Sequence, residues 1–166
     1  MTPTTDTPLD LDEFKGVMSS FATGIVVVTA SGAAGPAGMA CQSFVSLSLE
    51  PPYVSFCPAL TSSSWPLIRA AGRFTVNVLA EDQTQLCRRF AVTGGDKFAG
   101  VDWRPGANGA PVLDGVLAWI ECTLETELPG GDHTVAVGRV TAATLARAAT
   151  GPLLYFQRGY RQLTTG

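Results

Sequence analysis

Three consecutive serines, Ser62, Ser63 and Ser64, stand directly before Trp65-Pro66-Leu67-Ile68, a helix start with proline in its first turn. Hydroxyl donors, free backbone N–H groups and the positive end of a helix dipole together suit a phosphate. The same residues equally make an ordinary N-cap with polar neighbours. Upstream, Gly38-Met39-Ala40-Cys41-Gln42-Ser43-Phe44 opens a strand on a glycine, with small or amide side chains along one face. That composition lets a planar ligand lie against the backbone, and it also describes a plain barrel strand entered by a turn glycine. The only histidine, His133, follows Gly130-Gly131-Asp132. At a hairpin mouth it could donate to a bound ligand or simply be solvated. Asp96-Lys97-Phe98 holds one of two lysines, with Arg88 and Arg89 upstream. It offers charge to a phosphate and an aromatic lid to a ring, or a solvated loop with its phenylalanine tucked away.

Other chemistries lack their residues. One histidine and no G-x-S-x-G leave a serine-hydrolase arrangement without support. Neither G-x-x-x-x-G-K-[ST] nor G-x-G-x-x-G occurs, which removes P-loop and Rossmann nucleotide binding. Cys41, Cys57, Cys87 and Cys122 form no C-x-x-C pair and do not cluster with His133, so no metal site is expected. A Cys–His nucleophile pair has no local signature.

The elements that must position these residues are mostly strands. Asp10-x-x-Glu13 has capping-box spacing before Phe14, Val17, Met18 and Phe21, which share one helical face. Gly24 to Ala30 is a β-branched run closed by a Gly/Pro-rich turn from Ser31 to Gly38. Alternation from Met39 to Leu49 predicts one long strand with a polar face. Pro51-Pro52 breaks it before a strand over Tyr53 to Cys57. The serine-led helix ends at Gly72. A strand follows in which Phe74, Val76 and Val78 alternate with Thr75 and Asn77, and then a short helix from Asp82 to Phe90. Gly94 to Gly100 and Arg104 to Pro111 read as loops. Val116 to Leu128 alternates cleanly, with Glu121, Glu125 and Glu127 on the outer face, and a turn over Pro129 to Asp132 returns it as Thr134 to Leu145. Leu153 to Gln157 is the last strand. Many strands, three short helices and no βαβ alternation predict a mainly β Greek-key barrel with peripheral helices, as one domain over 9–166 behind a flexible tail at 1–8.

Composition narrows the partners. The 166 residues are 46% hydrophobic but only 15% charged, against a usual charged fraction of roughly 25%. Net charge is −3 and the pI near 5.0, which argues against nucleic acid. No run approaches the roughly 18 apolar residues of a membrane helix. The Thr/Pro-rich start lacks the basic and apolar regions of a signal peptide, so the cysteines are expected to be reduced core residues of a cytoplasmic protein.

Taken in order, eight segments resemble the flavin reductase-like family, in particular the reductase component of two-component flavin-dependent monooxygenases. They are FATGIVVVT (Phe21–Thr29), GMACQSFVSLSLEPPYVSFC (Gly38–Cys57), SSSWPLI (Ser62–Ile68), GRFTVNVLAEDQ (Gly72–Gln83), DKFAG (Asp96–Gly100), APVLDGVLAWIEC (Ala110–Cys122), GGDH (Gly130–His133) and PLLYF (Pro152–Phe156). The resemblance implies an FMN-binding split barrel working as a homodimer. It implies hydride transfer from NADH or NADPH to FMN or FAD, and release of reduced flavin to a separate monooxygenase. On that basis Gly38, Met39, Ala40, Cys41, Gln42 and Ser43 line the isoalloxazine and ribityl chain, with Ala59 beside them. Ser62, Ser63 and Ser64 hold the phosphate, the Lys97/Phe98 loop closes over the site, Arg89 is counted with the cofactor-binding residues, and His133 lies on the nicotinamide side as the catalytic position. Many members read GMTANSF where this chain has GMACQSF, so Ala40 and Gln42 replace a threonine and an asparagine. A flavin-storing split barrel without catalysis, and an oxidase or oxygenase with prosthetic FMN, are the alternative readings on the same fold.

Overall fold

The computed structural model describes residues 9–164; the tail expected at 1–8 lies outside the described residues. Helix α1 (Leu11–Met18) is followed by β1 (Thr23–Gly24), β2 (Val26–Gly32), β3 (Gly35–Cys41), β4 (Val45–Leu49) and β5 (Pro52–Phe56). Then come α2 (Trp65–Ala71), β6 (Arg73–Val78), α3 (Thr84–Ala91), β7 (Trp103–Pro105) and β8 (Pro111–Leu113). Two long strands, β9 (Ala118–Gly130) and β10 (His133–Leu145), precede β11 (Leu154–Phe156) and β12 (Gly159–Arg161). No described helix is long and apolar enough to cross a membrane.

Seven strands form one sheet in the order β3-β2-β6-β9-β10-β5-β4. Its two edge strands, β3 and β4, are consecutive in the chain and separated by only Gln42, Ser43 and Phe44. Laid flat, the sheet would hold its edges about 29 Å apart, at roughly 4.8 Å per strand. The chain from Cys41 to Val45 reaches at most about 14 Å. The sheet must therefore curl until its edges meet at residues 42–44, and this seam makes it a split barrel. The long strand expected over Met39 to Leu49 is thus two strands on opposite edges. The alternation runs through the seam although the two halves differ in burial: Met39 and Cys41 of β3 are buried, whereas Val45, Leu47 and Leu49 of β4 are exposed.

Strand β2 sits between β3 and β6 and is buried on both faces, which is why it reads as a continuous β-branched run. Val26, Val28 and Ala30 point into a core with Phe56, Phe74, Val76, Cys122 and Ala136. Trp65 and Ile68 of α2 join this core, with the Phe56 ring edge-on to Trp65 and to Phe74. Burial of each large side chain here contributes about 1.5–3 kcal/mol. Ile25 and Val27 face a second core beneath α3, with Leu79, Cys87, Phe90, Leu113 and Leu153. Gly72 ends α2 in the left-handed conformation, φ 68°.

Several expectations change. The turn placed at Ser31 to Gly38 is only Ala33-Ala34, with β3 already paired from Gly35. The loop at Arg104 to Pro111 is flanked by the paired strands β7 and β8. Glu121, assigned to the outer face, is buried, and so are Thr75 and Asn77, the polar members of the β6 alternation. Asn77 donates from Nδ2 to the Val27 carbonyl (3.1 Å) and accepts at Oδ1 from the Leu113 N–H (2.9 Å). Glu121 accepts from the Ala107 N–H (2.8 Å). Asn77 ties β8, and Glu121 the turn before it, to the sheet, so these polar residues lie on faces covered by other segments. Helix α1 is capped as expected, Asp10 Oδ1 accepting from the Asp12 N–H at 2.8 Å, yet it has no buried residue.

Candidate functional site

A cavity of about 1020 Å3 opens at the seam where the two sheet edges part. Met39, Ala40, Cys41, Gln42 and Ser43 form one wall, at the end of β3 and in the seam itself. The loop from β5 to α2 supplies Cys57, Ala59, Thr61, Ser62 and Ser63. The end of α3 supplies Phe90, Ala91 and Val92, and the tip of the β9–β10 hairpin supplies Gly130 and His133. Tyr155 and Tyr160 come from the C-terminal hairpin, Phe14 and Met18 from α1.

The seam is fastened by Ser43, whose hydroxyl accepts the Cys57 N–H at 2.8 Å and lies 3.1 Å from Cys41 Sγ. Burial pushes the Cys41 thiol up from its ordinary value, so it stays protonated as a small wall residue. Gln42 Oε1 accepts from the Thr23 hydroxyl at 3.3 Å, and its NH2 group has no protein partner among the described residues. An amide donor in an otherwise small-residue wall suits the polar edge of a planar ring.

The serines are organised differently from a simple hydroxyl cluster. Ser62 Oγ accepts the Trp65 N–H (3.2 Å) and so caps α2, Ser63 Oγ accepts the Gly94 N–H (3.3 Å), and Ser64 Oγ accepts from Lys97 Nζ (3.0 Å). Ser62 and Ser63 line the cavity; Ser64 is buried behind it. Gly38 also stands behind the wall. A Cβ there would lie 2.6 Å from Phe90 Cε1, so the missing side chain makes room for a phenylalanine ring and not for a ligand. Phe98 is edge-on to Phe90 with centroids 5.0 Å apart and to Trp103 at 5.9 Å, an aromatic stack that backs the wall. Arg89 donates to the Ala99 carbonyl and lines an adjacent groove that meets the main cavity at Val92 and Lys97.

The hairpin tip is docked on the loop before α2. Asp132 O accepts the Leu60 N–H (3.0 Å), Pro58 O accepts the Thr134 N–H (2.9 Å), and Ala59 bridges to His133. The His133 ring is held by its Nδ1 at 2.7 Å from Asp132 Oδ1. That contact keeps the Asp132 carboxyl below its ordinary range. The imidazole is therefore oriented at the cavity rim with Nε2 left for another partner.

Ten of the fourteen residues singled out from sequence line this one cavity: Met39, Ala40, Cys41, Gln42, Ser43, Ala59, Ser62, Ser63, Lys97 and His133. Gly38, Ser64, Arg89 and Phe98 do not. Sequence reasoning missed Tyr155 and Tyr160, whose rings pack at 5.5 Å across β11 and β12. Their signal was weak, because Gln157-Arg158 takes the left-handed turn (φ 48° and 60°) usually signalled by Asn-Gly.

A split barrel with a large cavity at its seam, small residues on one wall and an oriented histidine at the rim defines a ligand-binding fold of the flavin reductase type. Residues 18–164 match the family described as flavin reductase like domain, and the chain belongs to that family. The chain is 47% identical over 152 residues to the reductase subunit HsaB of a flavin-dependent monooxygenase from Rhodococcus jostii, covering 92% of this chain and 77% of that protein. Nitrilotriacetate monooxygenase component B from Mycobacterium thermoresistibile superposes with a TM-score of 0.89 at 43% identity, over 92% of this chain and 86% of that one. Streptomyces globisporus NADH:FAD oxidoreductase SgcE6, solved with NAD and FAD fragments, gives 0.89 at 35% identity over 95% of each chain.

Proposed function

We propose that the chain is an NAD(P)H:flavin oxidoreductase that reduces FMN or FAD and releases it to a separate monooxygenase. The observation that carries this reading is the seam cavity: it belongs to a flavin reductase-like chain and its donor set suits a flavin. Its volume is that of a site for a large organic ligand. Small residues at Ala40 and Cys41 would let a flat ring approach the wall, Gln42 could offer an amide to its polar edge, and Thr61, Ser62 and Ser63 would be the residues to hold a phosphate-bearing tail. When bound, the flavin supplies the hydride-accepting chemistry and the nicotinamide the hydride.

The protein's part is positional. Ile25, Met39, Phe90 and Val135 give the cavity apolar walls that exclude water, and His133, steered by Asp132, stands where it can orient the nicotinamide. No side chain has to act as nucleophile or base. The protein works as a homodimer in the cytoplasm, a reading supported by the apolar face of α1 and by Val45, Leu47 and Leu49 of β4, all left exposed. The four free cysteines suit a reducing compartment.

Purified protein is expected to oxidise NADH or NADPH, followed at 340 nm, only when FMN or FAD is added. No turnover with any flavin–nicotinamide pair refutes the assignment. Yellow protein that keeps its flavin through gel filtration without oxidising NADH points instead to storage. A monomer in sedimentation equilibrium refutes the pairing.

A further inference from the structure

Lys97 lines the cavity, and a lysine beside serines at the phosphate end of a flavin site invites assignment as the phosphate's counter-ion. Its contacts say otherwise. An ammonium has three N–H donors, and Lys97 Nζ spends them on the Gly38 carbonyl (3.2 Å), the Ser64 hydroxyl (3.0 Å) and the Phe90 carbonyl (3.3 Å). These acceptors belong to three different elements around the cavity. Gly38 lies in β3 just before the residues of the flavin-facing wall. Ser64 is the N-cap residue of α2, though its hydroxyl makes no capping bond. Phe90 offers one of the last carbonyls of α3, which lack partners within the helix. Ser64 and Phe90 are 6% and 1% exposed, so their polar atoms have little access to water as a substitute. The Phe90 ring also presses on Gly38, so the staple and the packing hold the same pair of elements.

We infer that Lys97 is a positioning residue which sets the shape of the flavin cavity by tying β3, α2 and α3 together, and that it is not the flavin phosphate's counter-ion. This rests on the proposed flavin reductase function. To meet a phosphate directly, Nζ would have to give up one of its three protein acceptors. Arginine cannot replace it, because a planar guanidinium fork does not place three donors around one point as a tetrahedral ammonium does.

The test compares FMN with riboflavin, which has the same ring and no phosphate, by fluorescence titration and by steady-state reduction at saturating NADH. Lys97→Met is expected to weaken both flavins by a similar factor, about tenfold, with kcat at saturating flavin within about twofold of wild type. General loss of folded protein would lower kcat and leave KM unmoved. Lys97→Arg, which keeps the charge, is expected to behave like Lys97→Met. Ser64→Ala, a milder change that serves if the lysine variants do not fold, is expected to weaken both flavins about threefold. A loss confined to FMN, a near-normal Lys97→Arg, or unchanged affinity in every variant overturns the inference. A wild-type chain that binds neither flavin refutes the functional assignment and this role with it. Wild-type binding with an FMN-only loss refutes the role alone.

Discussion

Gly38→Ala tests whether the cavity wall depends on the close contact between β3 and α3. The new Cβ would lie 2.6 Å from Phe90 Cε1, 2.8 Å from Cδ1 and 3.4 Å from Thr29 Cγ2. Carbon atoms prefer separations of about 3.5–4.0 Å, so the ring or the strand must move by about 1 Å. Phe90 has little room to do so: it is 1% exposed and its ring already meets Phe98 edge-on at 5.0 Å. Overpacking of this kind costs about 1–3 kcal/mol. Taking about 2 kcal/mol, a domain of this size should lose about 4–8 °C in Tm. Because Phe90 lines the cavity, the flavin KM should rise in the same variant. Phe90→Leu shortens the offending ring, so the double variant should be more stable than the sum of the two losses predicts, by at least about 1 kcal/mol. Thermal melts of the four proteins, with flavin KM measured on each, decide the matter. A Gly38→Ala protein melting within about 1 °C of wild type, or strict additivity in the cycle, refutes the account of this wall.

Two further outcomes follow from the same geometry. Burial pushes the Cys122 thiol from its ordinary 9.0 up to about 12. An acid whose folded pKa is raised contributes stability that is complete below the unfolded value and lost as pH rises from about 9 towards 12. Its share of the loss at pH 10 is about 1.4 kcal/mol, so Cys122→Ala should flatten the fall in urea midpoint between pH 8 and pH 10. Identical slopes in the two proteins count against the shift. His133→Ala should raise the NADH KM about tenfold while moving the flavin KM by less than twofold, measured at saturating co-substrate. An unchanged NADH KM removes the residue from that role.

The sequence carried the strands more faithfully than the connections between them. Ile120, Cys122 and Leu124 alternate with Glu121 and Glu125, and the strand is there, because Cys122 packs in the core with Ile120 and Leu124 against it. Alternation could not reveal that Gln42 to Phe44 leaves one edge of the sheet and joins the other, since neither side chain pattern nor composition changes at the seam. Nor could polarity distinguish a solvated face from one covered by a loop. Asn77 and Glu121 look outward in the pattern and are buried under the segments they bond. In the site, residue types were legible but their partners were not. Three serines, a lysine and a glycine read as ligand contacts. Ser64, Lys97 and Gly38 instead meet one another, through Nζ bonds that need coordinates to see.

The low charge of the chain bears on the proposed pairing through where the apolar surface lies. Val45, Leu47 and Leu49 belong to β4, an unpaired sheet edge, and are 51%, 53% and 87% exposed. An apolar edge strand left open is a template for uncontrolled association, which natural sheets block with charge, proline or a covering element. None of the five residues of β4 is charged or proline. Helix α1 repeats the pattern, with Phe14, Val17 and Met18 exposed on a helix that buries nothing. Two of those three, Phe14 and Met18, also line the cavity. The element most in need of a partner is therefore part of the site wall, and in the proposed dimer a second copy that covers α1 would also fix one side of the flavin's exit.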